Sequence, residues 1–394
     1  MKVIKLTQQL ISKQSYLSSK TNEKRIGDFV FSYLKKIPYL KVEKQEIKKG
    51  RFNIIAKTAG TPRLFLAGHL DTVSPKQGWS KNQFKGIVAG EKLYGLGSLD
   101  IKSGVAAILD SLSDFKRISN LTLLFYCDEE YDFKGMKHFT KKYRKEIGDL
   151  AVLVEPTDLK IWNACRGLIE IYFSVQGRSG YASNPDSGKN AINAIVDALD
   201  SLEEYLKKFK DTIFGNPSLN IAYIRGGLYQ REKRGEIILG KEGNNIADFA
   251  ETVIDIRPTK KELNAKKIIF LIKKFLKKGG CKLLNVFIRH DFSPFYTKPT
   301  KFRILEEIVK KVVGETEYLD PSKIGYGDGQ LIAEKFNVPV VYLGPKGTNA
   351  HGIDEWVDIN SLKKLRQIFS ELIVSYCKTE HRHNLPSEEG VSGV

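Results

Sequence analysis

Hydrophobic positions recur at helical spacing through the first part of the chain: Ile4, Leu6, Leu10 and Ile11, then Ile26, Phe29, Val30 and Leu34. Apolar residues three and four apart line one face of an α-helix, so residues 3–36 are expected to form amphipathic helices. From 42 to 66 the pattern becomes strand-like and ends in Leu64-Phe65-Leu66-Ala67, which delivers His69 and Asp71. Asp100 opens a helical stretch rich in Ala, Ile and Leu between 104 and 112. Two continuous apolar runs follow, 121–126 leading into Cys127-Asp128-Glu129-Glu130 and 150–154 leading into Glu155-Pro156. Strands alternating with helices predict an α/β domain with a mixed, mostly parallel sheet covered by helices. In such sheets chemistry gathers outside the carboxyl ends of the strands, where His69, Glu129, Glu130 and Glu155 all fall.

Near residue 166 the texture shifts. Alternation over 168–175 predicts a strand, and 190–209 reads as a long amphipathic helix. Strands are expected at 219–223 and 249–256, a Lys-rich helix at 260–278, and a strand at 283–289. That β-α-β-β-α-β order is the one found in ferredoxin-like α+β domains. After Asp291 the chain returns to the first pattern, with a strand at 338–343 and a helix at 359–376. The expected division is a discontinuous domain of 1–165 and 292–380, an inserted domain of 166–291, and a polar, disordered tail of 381–394.

Composition narrows the partners. At 394 residues and 41% hydrophobic content the chain can bury one large core or two moderate ones. The 64 Lys+Arg against 46 Asp+Glu give +18, but the lysines are scattered, with no dense basic block interleaved with aromatics. This predicts solvated lysine-rich faces and no nucleic-acid partner, with a positive field suited to an anionic substrate. Cys127, Cys165, Cys281 and Cys377 form no C-x-x-C pair and are expected to be reduced and buried. The first residues lack the apolar core of a signal peptide, and no run approaches the ~18 apolar residues of a membrane helix. A soluble, cytoplasmic protein is expected.

The candidate chemistry begins at His69 and Asp71. Residues i and i+2 on a strand point to the same side, so Asp71 can accept the spare ring N–H of His69 and aim the other nitrogen at a metal. His69, Asp100, Glu130, Glu155 and His351 together supply two imidazoles and three carboxylates. That set suits two divalent metals a few ångström apart, one carboxylate bridging and positions left open for water. Such a pair lowers the pKa of bound water and polarises a carbonyl oxygen. Glu129, beside Glu130 on a loop where neighbours diverge, fits the base that takes the water's proton and hands it to a leaving nitrogen. Taken singly, Asp100 reads equally as a helix cap, Glu129-Glu130 as a solvated turn and His351 as a loop residue. Their joint placement at the ends of successive strands favours the metal reading.

His69-Leu-Asp71, Gly95-Leu-Gly97-Ser-Leu-Asp100-Ile-Lys-Ser-Gly104, Asp128-Glu129-Glu130, Glu155-Pro156-Thr157 and His351-Gly-Ile-Asp-Glu-Trp356 resemble one known family in order and spacing. It is that of the co-catalytic metallopeptidases typified by acetylornithine deacetylase, succinyl-diaminopimelate desuccinylase and the carboxypeptidase G-type enzymes. The resemblance spans about residues 5–378. It implies a di-zinc catalytic domain (cobalt or manganese as alternatives) interrupted by a ferredoxin-like lid domain that makes a homodimer. It further implies that His69 and Glu155 hold one zinc, Glu130 and His351 the other, and that Asp100 bridges them. Asp71 then orients His69, Glu129 is the general base, and a cis peptide follows Asp100.

In the lid, Gly243-Asn244-Asn245-Ile246-Ala247-Asp248 and Asp255-Ile256-Arg257 resemble the segment whose Asn and Arg reach the substrate's carboxylate. This assigns substrate binding to Asn245 and Arg257, Arg being suited to a bidentate clamp. Two departures stand out. Where the family has a His in G-x-x-x-H-x-x-x-P, this chain has Gly177-Arg-Ser-Gly-Tyr181-Ala-Ser-Asn-Pro185. A phenol donates one hydrogen bond to an oxyanion but carries no positive charge, so Tyr181 substitutes at some cost or Arg178 assists. The run Gly325-Tyr326-Gly327-Asp328-Gly329-Gln330 also lacks the Thr/Ser-Asp-Ala-Arg type of loop seen in the desuccinylases. The implied activity is zinc-dependent cleavage of an amide bond beside a free carboxylate, in an N-acyl-amino acid or short peptide. The alternatives are an aminopeptidase with the same metals, which would need an acidic anchor for the substrate's ammonium, and a non-catalytic carboxylate- or peptide-binding relative.

Overall fold

The computed structural model describes residues 2–143, 146–233 and 236–381. The chain opens with α1 (Lys2–Ile11) and α2 (Lys24–Lys35), amphipathic helices that bury Leu6, Leu10 and Ile11, and Ile26, Val30 and Leu34. Next come β1 (Lys41–Lys48), β2 (Arg51–Lys57), β3 (Ala59–His69), β4 (Ile87–Ala89) and β5 (Lys92–Tyr94). A turn at 97–102 leads into α3 (Ser103–Ser111), followed by β6 (Phe115–Tyr126), α4 (Lys134–Lys142) and β7 (Leu150–Leu153).

The chain then builds β8 (Ala164–Cys165), β9 (Leu168–Gln176), α5 (Ala191–Leu206), β10 (Ser218–Lys233), β11 (Glu236–Gly240), β12 (Phe249–Arg257), α6 (Ala265–Lys278), β13 (Lys282–Phe292) and β14 (Phe295–Tyr296). It closes with α7 (Arg303–Val313), α8 (Gly329–Phe336), β15 (Val340–Tyr342), β16 (Gly347–Thr348), β17 (Trp356–Asp358), α9 (Ile359–Tyr376) and β18 (Lys378–His381). Among the described residues no helix is long and apolar enough to cross a membrane.

Contacts divide the chain into two compact units. The first comprises Met1–Asn163, Thr297–Leu319 and Leu331–Val394. Its main sheet has the order β1-β2-β6-β3-β7-β15, with β18 also pairing with β6. The centre, β6-β3-β7-β15, is parallel, and β1, β2 and β18 add antiparallel pairings. The second half of β3, the second half of β6 and all of β7 are buried on both faces, as parallel strands under helices must be. Leu64 and Leu66 face the cluster that also holds α1, α3, α7 and α9 residues, while the alternate Phe65 meets Phe139 of α4, ring centroids 5.6 Å apart.

Every residue of α3 is buried. Gly104 makes that approach feasible, since a Cβ there would lie 2.0 Å from Val154 Cγ1. Gly104→Ala is therefore expected to destabilise the protein by about 1–3 kcal/mol, the usual cost of an extra methyl in a filled core, despite alanine's better helix propensity. Urea unfolding measures it; an unchanged midpoint would mean that the helix simply moves away from the sheet.

The second unit is Ala164–Tyr296 with Asp320–Gln330. Its sheet has the order β11-β10-β12-β9-β13, and α5 and α6 cover one face over a core of Ile169, Ile171, Phe173, Ile254 and Ile268. Two features depart from the sequence reading. The strand expected at 219–223 runs on to Lys233 and pairs with β11, because backbone pairing persists through the charged residues 231–233 where alternation is lost. The segment 320–330, expected with the first domain, instead packs in the second unit, where Cys165 Sγ lies 3.0 Å from the Gly325 carbonyl and Gln330 Nε2 donates to the Arg166 carbonyl at 2.7 Å. At the far end, His381 belongs to β18 and pairs with Phe115; the rest of the expected tail, 382–394, lies outside the described residues.

Candidate metal centre

β3 and β6 are parallel and in register, with His69 opposite Tyr126, so their carboxyl ends are level. The His69 ring is buried, and its Nδ1 donates to the main-chain oxygen of Asp71 at 3.1 Å. The Asp71 carboxylate stands 3.7 Å from that nitrogen. The contact expected from the carboxylate thus comes from the carbonyl. The physical reason is that Asp71 is turned onto the next corner, where its oxygens accept the backbone N–H groups of Glu129 (3.2 Å) and Glu130 (3.0 Å). A carbonyl only accepts, so Nδ1 keeps its proton and Nε2 is the nitrogen left for a metal.

Asp100 sits in the turn after Gly97, whose φ of 78° and 2.7 Å clearance to Thr72 Cγ2 exclude a side chain there. The Asp100-Ile101 peptide is cis. The two oxygens of Asp100 face different imidazoles: Oδ1 lies 3.0 Å from His69 Nε2, and Oδ2 lies 3.3 Å from His351 Nε2. Glu130 Oε2 is 3.0 Å from the same His351 nitrogen. Donor atoms of His69, Asp100 and Glu130 all fall within 4.8 Å of one another. Glu130 Oε1 is buried with no hydrogen-bond partner among the described residues.

These contacts set the charges. Burial opposes the Asp100 carboxylate, but hydrogen bonds from His351 and His69 win and hold its pKa well below the ordinary range. Burial likewise opposes a cationic His69, yet Asp100, Asp71, Glu129 and Glu155 raise its pKa well above the usual value. His351 is pushed up to about 10 by Asp100 and Glu130. Two imidazoles held by one carboxylate, with a buried carboxylate oxygen otherwise unsatisfied, are a donor set that fits a divalent cation. Protons and metal would compete for the same nitrogens.

Glu155 follows β7, whose Leu153 is opposite Ala67, so Glu155 comes level with His69; its side chain is buried. Glu129 is half-buried, and its charge reaches His69. Asp128, with a left-handed φ of 71°, is fully buried and ion-paired to Arg51, which also bonds Glu23 at 2.8 and 2.5 Å. Arg51 and Glu23 carry no motif, and only the folded chain reveals that they anchor the acidic corner.

Glu355 likewise has no role that the sequence reveals. It is buried, its carboxylate accepts three backbone N–H groups from 97–100, and burial pushes its pKa up to about 7. Nearby Lys102 is buried too, pulled down to about 7 by burial, and donates to the Lys13 carbonyl at 2.9 Å.

In the second unit, Tyr181 is 70% exposed on a loop, where its backbone bridges to Asn245. Asn245 is exposed and its amide donates to Asn244 at 3.0 Å. Arg178 bridges to Lys189 through its backbone. Arg257 gives its Nε and Nη2 fork to Asp255 at 2.7 and 3.0 Å and lies over the Tyr326 ring. The fork expected for a substrate carboxylate is therefore already used. Its Nη1 is buried without a hydrogen-bond partner among the described residues, and so is Nε of Arg166. Burial and, after it, the charge of Arg257 lower the Arg166 pKa. Arg166 lies between β8 and β9 and belongs to no motif of the sequence.

The family model described as Peptidase family M20/M25/M40 matches residues 65–375. An acetylornithine deacetylase of Buchnera aphidicola subsp. Schizaphis graminum is 29% identical over 378 residues, covering 92% of this chain and 94% of that protein. A solved tripeptidase from Staphylococcus aureus superposes with a TM-score of 0.73 at 21% identity, covering 94% of this chain and 97% of its own. A dinuclear metal-binding M20 peptidase of Bacillus subtilis gives 0.68 at 15% identity, covering 95% and 97%.

Proposed function

The chain belongs to peptidase family M20/M25/M40, and from that premise we propose that it hydrolyses an amide bond beside a free carboxylate. It acts as an N-acyl-amino-acid deacylase or a small-peptide carboxypeptidase or dipeptidase. The observation that carries this reading is Asp100, with one oxygen toward His69 and the other toward His351. His69 and Glu155 would hold one zinc, Glu130 and His351 the other, with Asp100 shared; cobalt or manganese are alternatives. When bound, such a pair lowers the pKa of water and polarises the scissile carbonyl.

The chain's own residues do the rest. The Asp71 carbonyl fixes the proton on His69 Nδ1, and the Asp71 carboxylate holds the backbone of Glu129 and Glu130. Glu129 takes the proton from the attacking water and returns it to the leaving nitrogen. Arg257 binds the substrate's carboxylate, with Asn245 assisting. Two guanidiniums stand there against the one carboxylate of Asp255, which is already paired with Arg257; this favours an acidic substrate end over the ammonium group that an aminopeptidase's substrate brings.

Tyr181 donates its hydroxyl to the oxyanion in place of the family's His. Tyr181→Phe should then slow turnover by ~10²–10³, and Tyr181→His should preserve or raise it. Equal turnover of Tyr181→Phe and the parent would make the residue a surface side chain only, with Arg178 the next donor to test.

A homodimer through the second unit is supported by exposed apolar residues on β13 and α6, among them Phe287 (61%) and Phe270 (60%). Four buried, free cysteines suit a reducing, cytoplasmic setting. The test of the activity is a panel of N-acyl amino acids and dipeptides offered to the zinc-loaded protein, each beside its C-terminally amidated analogue. Cleavage of the free acids and not of the amides is expected. Absence of cleavage across the panel, or equal cleavage of the amides, would overturn the reading.

A further inference from the structure

We infer that Glu355 is a positioning residue that sets the separation of Asp100 and His351, and through it the binding of a metal pair; this rests on the metal reading above. Glu355 is buried, 1% exposed. Its Oε1 accepts the backbone N–H groups of Leu99 at 2.7 Å and Asp100 at 3.0 Å, and its Oε2 accepts that of Gly97 at 2.8 Å. One carboxylate thus gathers three backbone donors, at 97, 99 and 100, of the turn that presents Asp100.

The same residue stands four positions after His351 on one loop. That loop has left-handed backbone at Asn349, His351 and Asp354, with φ of 62°, 60° and 53°. Asn and Asp adopt such angles readily, whereas His351 is held there by its surroundings. Glu355 supplies part of that constraint: its own carbonyl accepts Gly95 N–H at 3.0 Å, continuing the ladder in which Trp356 pairs with Tyr94. The loop of His351 and the turn of Asp100 are therefore tied at one side chain, on the main-chain side of Asp100, while the carboxylate of Asp100 meets the imidazoles on the other.

The chemistry needs a carboxylate there. Glutamine has the same shape but only one acceptor oxygen, so its NH₂ must face either Gly97 N–H or the Leu99 and Asp100 pair, donor against donor. The turn then shifts and Asp100 leaves the line between the two imidazoles. Aspartate keeps both oxygens but falls one methylene short of spanning the three donors. Partners that orient metal ligands typically change metal affinity ~10–100-fold when removed.

The experiment titrates cobalt(II) into the metal-free parent, Glu355→Gln and Glu355→Asp. It reads equivalents bound, affinity against a competing chelator, the visible cobalt band, and thermal unfolding of the metal-free proteins. Both variants are expected to bind at least one equivalent ~10–100-fold more weakly, with an altered band, in protein that unfolds cooperatively. A merely structural residue would lower the unfolding temperature and leave the band and affinity of the folded fraction as in the parent. That result overturns the inference, and the aspartate variant decides the matter if the glutamine variant does not fold. A parent that takes up no cobalt overturns the metal reading and this inference with it. A parent that binds two equivalents, beside variants that bind as tightly, overturns this inference alone.

Discussion

Glu129→Gln should bind metal and substrate as the parent does while kcat falls by ~10²–10⁴, the usual contribution of a positioned general base. That loss corresponds to about 3–5 kcal/mol of barrier. The fold holds the backbone of Glu129 through the Asp71 carboxylate at 3.2 Å, a contact that the substitution does not touch. An amide of the same shape leaves that hydrogen bond intact and removes the group that accepts a proton, together with its charge on His69. The neighbouring Asp128 cannot take over, since it is fully buried and committed to Arg51. Steady-state kinetics with elemental analysis of bound metal provide the measurement. Activity within a few-fold of the parent would remove Glu129 from the proton path.

Asp100→Ala should cost the protein at least one of two bound metal equivalents and bring hydrolysis to background. Each Asp100 oxygen faces a different imidazole, so one truncation takes a donor from both positions at once. The metal-free variant carries a second signature. Hydrogen bonding to Asp100 is one of the contacts that raise the His69 pKa and the first of those that push His351 up to about 10. Both imidazoles should therefore titrate lower once the carboxylate is gone, and NMR of the ring protons can follow them. For His351 the sign is settled by the loss of a partner that favours the cation, with Glu130 at 3.0 Å retaining part of the upward shift. Metal content equal to the parent's would sink the bridging assignment whatever the activity.

Much of the architecture was legible because periodicity and burial agree. Helical spacing at Leu6, Leu10, Ile26, Val30 and Leu34 corresponds to buried faces of α1 and α2, and the unbroken apolar runs before Cys127 and Glu155 correspond to strands buried on both sides. Legibility failed where local pattern and tertiary pairing part company. Residues 231–233 extend β10 through charged side chains, and β18 adds Lys378–His381 to an existing sheet edge with no apolar alternation of its own.

By itself the sequence determined which chemical groups are available and roughly where each leaves a strand: His69, Glu129, Glu130 and Glu155 at carboxyl ends, Asp100 before a helix and His351 in a late loop. Those assignments depend on side-chain period, which is local. Only the tertiary structure decided what each group is tied to. It turned the Asp71 carboxylate from His69 to the Glu129-Glu130 backbone, gave the Arg257 fork to Asp255, and brought in the supports Arg51, Glu23 and Glu355. Such partners lie up to 258 residues apart, as Gly97 and Glu355 do. A buried carboxylate or guanidinium is fixed by which donors or acceptors remain unsatisfied around it, and that is a property of the packed interior rather than of any stretch of chain.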